Sequence, residues 1–392
     1  MSNVGFQETL QGKDKTETML YVHIPFCEQK CIYCDFYSVA QKGLIDEYFH
    51  ALLRELTMQK DHFQTAVLSS IYIGGGTPSI LSVDRLQALF AHIARLFPVS
   101  EKAEITMEAN PEHLTPEYLK ALKQYTPVNR LSIGIQAFQD DLLKRLNRHH
   151  SGNDAVKAVK EAQDAGFDNI SVDLIYALPG LSDQAWKENL EKAFACNIQH
   201  LSAYCLTVAE KTMLHTLIKN RKITPADEET TLRQFEILCK CAEEHGFEHY
   251  EISNFSLPGY RSKHNSGYWN FKPYMGVGAS AHGFDGRCRR WNIDSVKEYT
   301  IHIRKGEQPC QKEILNAAEH FNEQVFLGLR LKEGIFLPDL QDDMRSLLLN
   351  NAQDFIDRKL LEADSTHLRL TRKGIMLADH IASSLFALPE DV

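Results

Sequence analysis

Several things this chain lacks narrow what it can be. No stretch of its 392 residues approaches the roughly 18 apolar residues that span a bilayer, so no transmembrane segment is expected. Residues 1–18 read as a polar extension carrying Glu8, Lys13, Asp14, Lys15 and Glu17. They hold no apolar core of a secretory signal, and the expected location is cytoplasmic. Positive charge is in deficit: 43 Lys and Arg against 52 Asp and Glu give a formal net charge of -9. That balance speaks against nucleic acid or anionic lipid as a general partner. Cysteine is odd in number at nine, which suits reduced thiols or metal ligands better than a disulfide framework. No fixed-period repeat or low-complexity tract occurs. Apolar residues, by contrast, make up 43% of the chain against 24% charged, enough to bury a large core and exclude a disordered or fibrous protein.

From about Met19 to Tyr250, β-rich runs alternate with helix-period segments, most of them closed by Gly, Pro, Asn or Asp. The spacing predicts strands at Leu20–Ile24, Ser70–Ile73, Ala103–Glu108, Arg130–Ile135, Asn169–Ile175 and His200–Leu206. Between them, Leu44, Tyr48, Leu52 and Leu56 share one helical stripe, as do Leu86, Leu89, Phe90, Ile93 and Phe97. Thr115-Pro116 and Thr224-Pro225 read as an N-cap followed by proline, and Gly166 and Gly246 as helix stops. Strands alternating with helices imply a parallel sheet and a fold of the α/β class, here a partial, open TIM-like β/α barrel. The core is expected over 19–300. A small, mostly helical domain of winged-helix type is expected over 301–392, with a β signal at Leu368–Leu370 and a helix from Lys373 to Phe386.

Just after the first predicted strand stand Cys27, Cys31 and Cys34 in a C-x3-C-x2-C spacing. Three thiolates on one eight-residue loop can hold three irons of a 4Fe-4S cube and leave the fourth without a protein ligand. A structural zinc site, which needs a fourth ligand, and free buried thiols are the alternatives. The second strand ends in Gly74, Gly75, Gly76, Thr77 and Pro78, a run that lets backbone approach a ligand closely but equally makes a tight turn. No Lys-Ser or Lys-Thr follows, which excludes a phosphate-cradling Walker loop. In β/α barrels functional residues gather at the carboxyl ends of the strands. The cysteines, the glycines, Glu108 with Asn110, Gln136 and Asp173 all fall at or near such ends. Glu108 or Asp173 alone would be read as a cap or an ion-pair partner, and Arg148 as a solvated helix charge.

Together these residues resemble the radical S-adenosylmethionine superfamily, with Tyr33 before the last cysteine as part of the hallmark. The stretches YVHIPFC, GGGTPS, LSIGIQAF and VDLIYALPG resemble its oxygen-independent coproporphyrinogen III oxidase-like branch. The resemblance implies a 4Fe-4S cluster on Cys27, Cys31 and Cys34. It implies S-adenosylmethionine contacts at Tyr21, Tyr33, Gly75, Gly76, Thr77, Glu108, Gln136, Arg148 and Asp173. An electron donor such as a flavodoxin or ferredoxin would reduce the cluster, whose electron can cleave a carbon–sulfur bond of S-adenosylmethionine. The oxidases of the branch carry a fourth cysteine in C-x3-C-x2-C-x-C, whereas Asp35 and Phe36 follow Cys34 here. His264-Asn265-Ser266-Gly267-Tyr268-Trp269 instead resembles the H-N-x-x-Y-W signature of the heme chaperones of this family, as do YEISNF and GVGASAHGF. That likeness implies heme as a ligand, His264 at the heme site and a heme-acceptor protein as partner. A hydrogen-bonded packing histidine is the alternative reading of His264. No residue is assigned a catalytic acid–base role, and decarboxylation of coproporphyrinogen III is the competing function.

Overall fold

In the computed structural model, residues 17–60 and 67–388 are described. Each β-rich run of the first half becomes a strand buried on both faces, as parallel sheets covered by helices require. The strands are β1 (Glu17–Ile24), β2 (Val67–Gly75), β3 (Val99–Ala109), β4 (Arg130–Gln136), β5 (Ile170–Tyr176) and β6 (His200–Cys205). They pair in chain order and in parallel. Of the polar extension, Glu17 and Thr18 already belong to β1; positions 1–16 lie outside the described residues.

The helices between the strands follow from periodicity and caps. In α1 (Ile45–Gln59), Tyr48, Leu52 and Leu56 are buried, and in α2 (Val83–Leu96), Leu86, Leu89, Phe90 and Ile93. Thr115 caps α3 (Pro116–Tyr125) through the Tyr118 amide. After α4 (Asp140–Arg145), α5 (Gly152–Asp164) ends before Gly166 in the left-handed region, as the sequence predicts. Following α6 (Asp183–Ala195) and α7 (Met213–Lys219), α8 (Glu228–Glu244) starts later than Thr224-Pro225 suggested. Asp227 takes the cap instead, its Oδ1 accepting the Thr230 amide at 2.8 Å, because its short carboxylate stands where the orphan amides begin.

Beyond Tyr250 the sheet grows at both edges with strands too short to show a pattern. Antiparallel β7 (Glu248–Glu251) and β8 (Asn254–Ser256) extend it beside β6. After α9 (Lys263–Trp269), β9 (Tyr274–Val277) pairs in parallel with β1, and β10 (His282–Phe284) and β11 (Cys288–Asn292) continue from it. Helix α10 (Val296–Lys305) precedes β12 (Cys310–Ile314), which pairs with β11. The twelve strands run in one line from β12 to β7, so the barrel stays open.

The large sheet therefore continues past position 301 to Ile314, where the sequence showed no strand because Cys310–Ile314 is polar and largely exposed. A second core then gathers Phe321, Val325, Leu348, Phe355, Leu368 and Ile381. It is built from α11 (Ala317–Gly328), β13 (Ile335–Phe336), α12 (Asp342–Asp357), β14 (Leu361–Ala363) and β15 (His367–Leu370). The strand order is β13-β15-β14, a small sheet with a hairpin wing beside the helices. The helix expected over Lys373–Phe386 is two, α13 (Arg372–Ile375) and α14 (Ala378–Ser384), broken at Met376 and Leu377.

One buried carboxylate fastens the β9 edge to α1. Glu55, 1% exposed, accepts the Gly278 amide at 2.7 Å, the Tyr299 hydroxyl at 2.6 Å and the Asn292 amide at 2.7 Å. Truncating it strands three donors, each costing about 1–3 kcal/mol when left buried and unpaired. Glu55→Ala is expected to lose about 3 kcal/mol or more of stability, read as a lower urea midpoint; an unchanged midpoint would contradict this arrangement.

Candidate cofactor site

The loop after β1 is pinned along its length. The Cys27 amide bonds to the Val39 carbonyl at 3.1 Å and the Val39 amide to the Pro25 carbonyl at 2.8 Å, closing the loop at its base. At its tip the Ile32 amide donates to the Leu146 carbonyl at 3.3 Å, and the Leu214 amide to the Ile32 carbonyl at 2.9 Å. The three thiols it presents are half-buried. Thr77 Oγ1 lies 3.4 Å from Cys27 Sγ and Arg148 Nη1 lies 3.6 Å from Cys31 Sγ. Burial pushes the Cys27 thiol up and the Cys34 thiol up to about 11, so these sulfurs stay protonated unless a metal displaces the proton.

The glycine run after β2 packs against this loop with no room for side chains. The Gly76 amide donates to the Ile24 carbonyl at 2.9 Å and the Thr77 amide to the Phe26 carbonyl at 2.8 Å. A Cβ on Gly76 would come within 2.7 Å of the Phe26 carbonyl oxygen. Gly75 has a φ of +111° and its Cβ would meet the His23 ring at 2.4 Å, so glycine is required at both positions. Glu108, from the end of β3, accepts the Gly75 amide at 3.0 Å and the Tyr72 hydroxyl at 2.9 Å.

Deeper in the open barrel, Ser132 donates to Asp173 at 3.1 Å. Arg148 Nη2 donates to the Gly134 carbonyl at 2.5 Å and to Asn110 Oδ1 at 3.0 Å. Gln136 closes β4 with a φ of 69°, a left-handed backbone that a non-glycine residue adopts at some cost. Burial raises the carboxyls of Asp173 and Glu108, the latter to about 7 with Asp173 nearby adding to it.

All of these side chains meet in one place. Tyr21, Tyr33, Gly75, Gly76, Thr77, Glu108, Gln136, Arg148 and Asp173 line a cavity of about 390 Å³ together with Cys27, Cys31 and Cys34. Among the described residues, no three His, Cys, Asp or Glu side chains are grouped as ligands of a single metal ion. The donor set suits an iron–sulfur cube: three thiols on one anchored loop, none in a disulfide, and a guanidinium beside one sulfur to offset its charge. Asn110, Ser132 and Tyr204 also line the cavity. Sequence reasoning left Ser132 and Tyr204 aside, although the period-two alternation that turns Asp173 inward turns them inward as well.

His264 does not join this group. It is 1% exposed, and both ring nitrogens are taken, Nδ1 by the Ser70 hydroxyl at 2.8 Å and Nε2 by the Tyr268 hydroxyl at 2.9 Å. Both contacts are those of a hydrogen-bonded packing histidine, and the cysteine cavity's lining does not include it. The motif could not show this, because it gives neither partner's position.

An open parallel sheet whose first loop carries these cysteines beside a glycine turn defines a protein of the radical S-adenosylmethionine class. The Radical SAM superfamily model matches residues 21–193, and the HemN C-terminal domain model matches residues 315–377. The chain is 36% identical to the heme chaperone HemW of Bacillus subtilis, covering 92% of this chain and 97% of that one. It is 35% identical to HemW of Lactococcus lactis, over 92% and 95%, and 39% identical to HemW of Escherichia coli, over 69% and 72%. The chain belongs to the HemW heme chaperone family. The solved structure of coproporphyrinogen III oxidase (HemN) from Escherichia coli superposes with a TM-score of 0.82, covering 95% of this chain and 91% of that one. At 20% identity that likeness is one of fold.

The raised Glu108 carboxyl makes a pH prediction. With a folded pKa of about 7 against roughly 4.3 unfolded, the native state binds the extra proton between these values. Stability should therefore fall as pH rises across that window. Glu251, also raised to about 7 by burial, adds a second such term. Glu108→Gln is expected to lessen, without abolishing, the decline in Tm between pH 5 and 7; an identical decline in both proteins would contradict the assignment.

Proposed function

We propose that this chain is a cytoplasmic heme chaperone of the radical S-adenosylmethionine type. It holds a 4Fe-4S cluster on Cys27, Cys31 and Cys34, binds S-adenosylmethionine and heme, and passes heme to an acceptor protein. The observation that carries the reading is the convergence of the three thiols, the glycine turn and the buried carboxylates on one cavity, in a chain whose near full-length relatives are heme chaperones. A reduced cluster, when bound, supplies an electron to S-adenosylmethionine, and a flavodoxin or ferredoxin is the expected donor of that electron.

The protein's own groups bind and orient. The sharp turn at Gly75 and Gly76 brings backbone close enough to hold the amino-acid end of S-adenosylmethionine. Arg148 lays positive charge against Cys31, its Nη1 3.6 Å from the sulfur. Glu108 and Asp173 are the carboxyl groups placed to accept hydrogen bonds from the nucleoside end, with Tyr21, Tyr33 and Gln136 closing the walls. Phe36, where the oxidases have their additional cysteine, is 71% exposed and supplies no thiol to the cavity, which favours the chaperone over the decarboxylase.

The test is anaerobic heme transfer. Reconstituted protein loaded with heme is expected to deliver it to an apo-hemoprotein, and the Cys27, Cys31, Cys34 triple alanine variant to lose the cluster's absorbance. Full cluster loading in the triple variant would remove the cysteine assignment. Conversion of coproporphyrinogen III with stoichiometric 5'-deoxyadenosine would replace the chaperone with the oxidase.

A further inference from the structure

A second cavity, of about 370 Å³, lies where β7 meets the C-terminal domain, with His249 in its lining. Two of its three cations are taken, Arg330 by Asp379 at 2.7 Å and Lys332 by Glu248 at 2.8 Å. A larger group of free cations stands elsewhere, around the cysteine loop. Residues 211–222, which run through α7, hold Lys211, Lys219, Arg221 and Lys222 and no Asp or Glu. All four are exposed, as are Lys30 on the loop itself and Lys144 in α4. Among the described residues, none of these six forms an ion pair. In a chain of net charge -9, this is a strip of the opposite sign whose members repel one another until an anionic surface meets them.

Backbone contacts tie the strip to the thiols. The Leu214 amide, in the first turn of α7, donates at 2.9 Å to the carbonyl of Ile32, which lies between Cys31 and Cys34. Lys219 follows roughly 7.5 Å further along a helix that rises about 1.5 Å per residue. The chain then folds back on the helix end, the Lys222 amide donating to the Leu217 carbonyl at 2.9 Å and the Arg221 amide to the Ile218 carbonyl at 2.8 Å. On the loop's other side, the Ile32 amide donates to the Leu146 carbonyl at 3.3 Å, close after Lys144. Lys30 Nζ donates to the Phe36 carbonyl at 3.4 Å, a neutral partner. Of the nearby carboxylates, Glu28 is held by Lys42 and Asp141 by Arg145. Asp35 and Glu210 are left to face the six cations.

The same face leaves large apolar side chains in water. Phe36 is 71% exposed, Met213 60% and Tyr204 43%. Phe36 and Tyr204 stand in the lining at the mouth of the cysteine cavity, and Met213 adjoins Leu214, whose amide holds the loop. Aromatic and methionine side chains inside a charged rim have the make-up of a protein interface rather than of ordinary surface.

We propose that this face receives an acidic electron-carrier protein of low potential, flavin- or iron–sulfur-based, with Phe36 and Met213 at the centre of the contact and Lys30, Lys211, Lys219, Arg221 and Lys222 steering it in. The carrier loses one electron and the cluster gains it; no atom is transferred. Electron transfer weakens steeply with distance, so the carrier has to seat where the thiols come nearest the surface, over the loop that bears them. A heme acceptor has no such need to reach these sulfurs. A second copy of the chain meeting the face about a two-fold axis would set the basic strip against itself. Small contacts with complementary charge are the rule for such redox encounters, in which charge sets the rate of association more than the affinity. The inference rests on the cluster reading under Proposed function and adds the face through which the electron enters.

Fully reduced flavodoxin, mixed anaerobically with the reconstituted whole chain in a stopped-flow cell, tests this through the bleaching of cluster absorbance. In the unaltered protein the bimolecular rate is expected to fall as salt is raised. Lys219→Glu, Arg221→Glu and Lys222→Glu together, all at exposed positions, should slow it by about tenfold or more at low ionic strength and flatten its salt dependence. Illuminated deazariboflavin, a small uncharged reductant, should reduce the cluster equally fast in both proteins. Equal rates with flavodoxin would overturn this location, and a variant slowed instead in passing heme to an apo-hemoprotein would assign the face to the acceptor. An unaltered protein reduced by deazariboflavin but not by flavodoxin would overturn the proposal and leave the cluster standing. No reducible cluster at all would overturn the cluster reading, and the proposal with it.

Discussion

Glu108 accepts the Gly75 amide at 3.0 Å and the Tyr72 hydroxyl at 2.9 Å, and the candidate site depends on that buried carboxylate. It ties the turn after β2 to the end of β3. The next two amides of the same turn bond to Ile24 and Phe26, so the position of the turn sets that of the strand end from which the cysteine loop departs. Thr77 then reaches Cys27 at 3.4 Å. Through this short chain of contacts the depth of the sheet fixes where the thiols stand. The carboxylate is costly to bury, and its raised pKa measures that cost.

Two cavities lie along the same molecule. The cysteine cavity sits at the carboxyl ends of the parallel strands, where β/α folds place their chemistry. The inter-domain cavity sits at the opposite kind of place, against an antiparallel edge that the C-terminal domain covers. Covering that edge also satisfies backbone groups that would otherwise invite another chain.

The first six strands were legible because each is a β-rich run closed by a breaker, and their ends differ from the structure by a few residues at most: Ser70–Ile73 lengthens to Val67–Gly75. The edge strands were not, since three to five residues such as Cys288–Asn292 carry too little alternation to stand out from loop. Position along the sheet made Gly75, Glu108, Gln136 and Asp173 readable as one rim. Arg148 was readable only by resemblance, because nothing local announces that a charge after α4 turns back to the Gly134 carbonyl. His264 shows the reverse limit: a motif names a residue, while its hydrogen bonds to Ser70 and Tyr268 depend on distant packing. The cavity at His249 left no mark in sequence, since it exists only once β7 and the C-terminal domain meet.

The central claim is a cluster bound by three thiols, with one iron open to S-adenosylmethionine. Electron paramagnetic resonance of the anaerobically reconstituted, dithionite-reduced protein tests it most directly. The account predicts a reduced 4Fe-4S signal whose g values change when S-adenosylmethionine is added. A signal indifferent to S-adenosylmethionine, or stoichiometric zinc with no iron–sulfur signal at all, would contradict it.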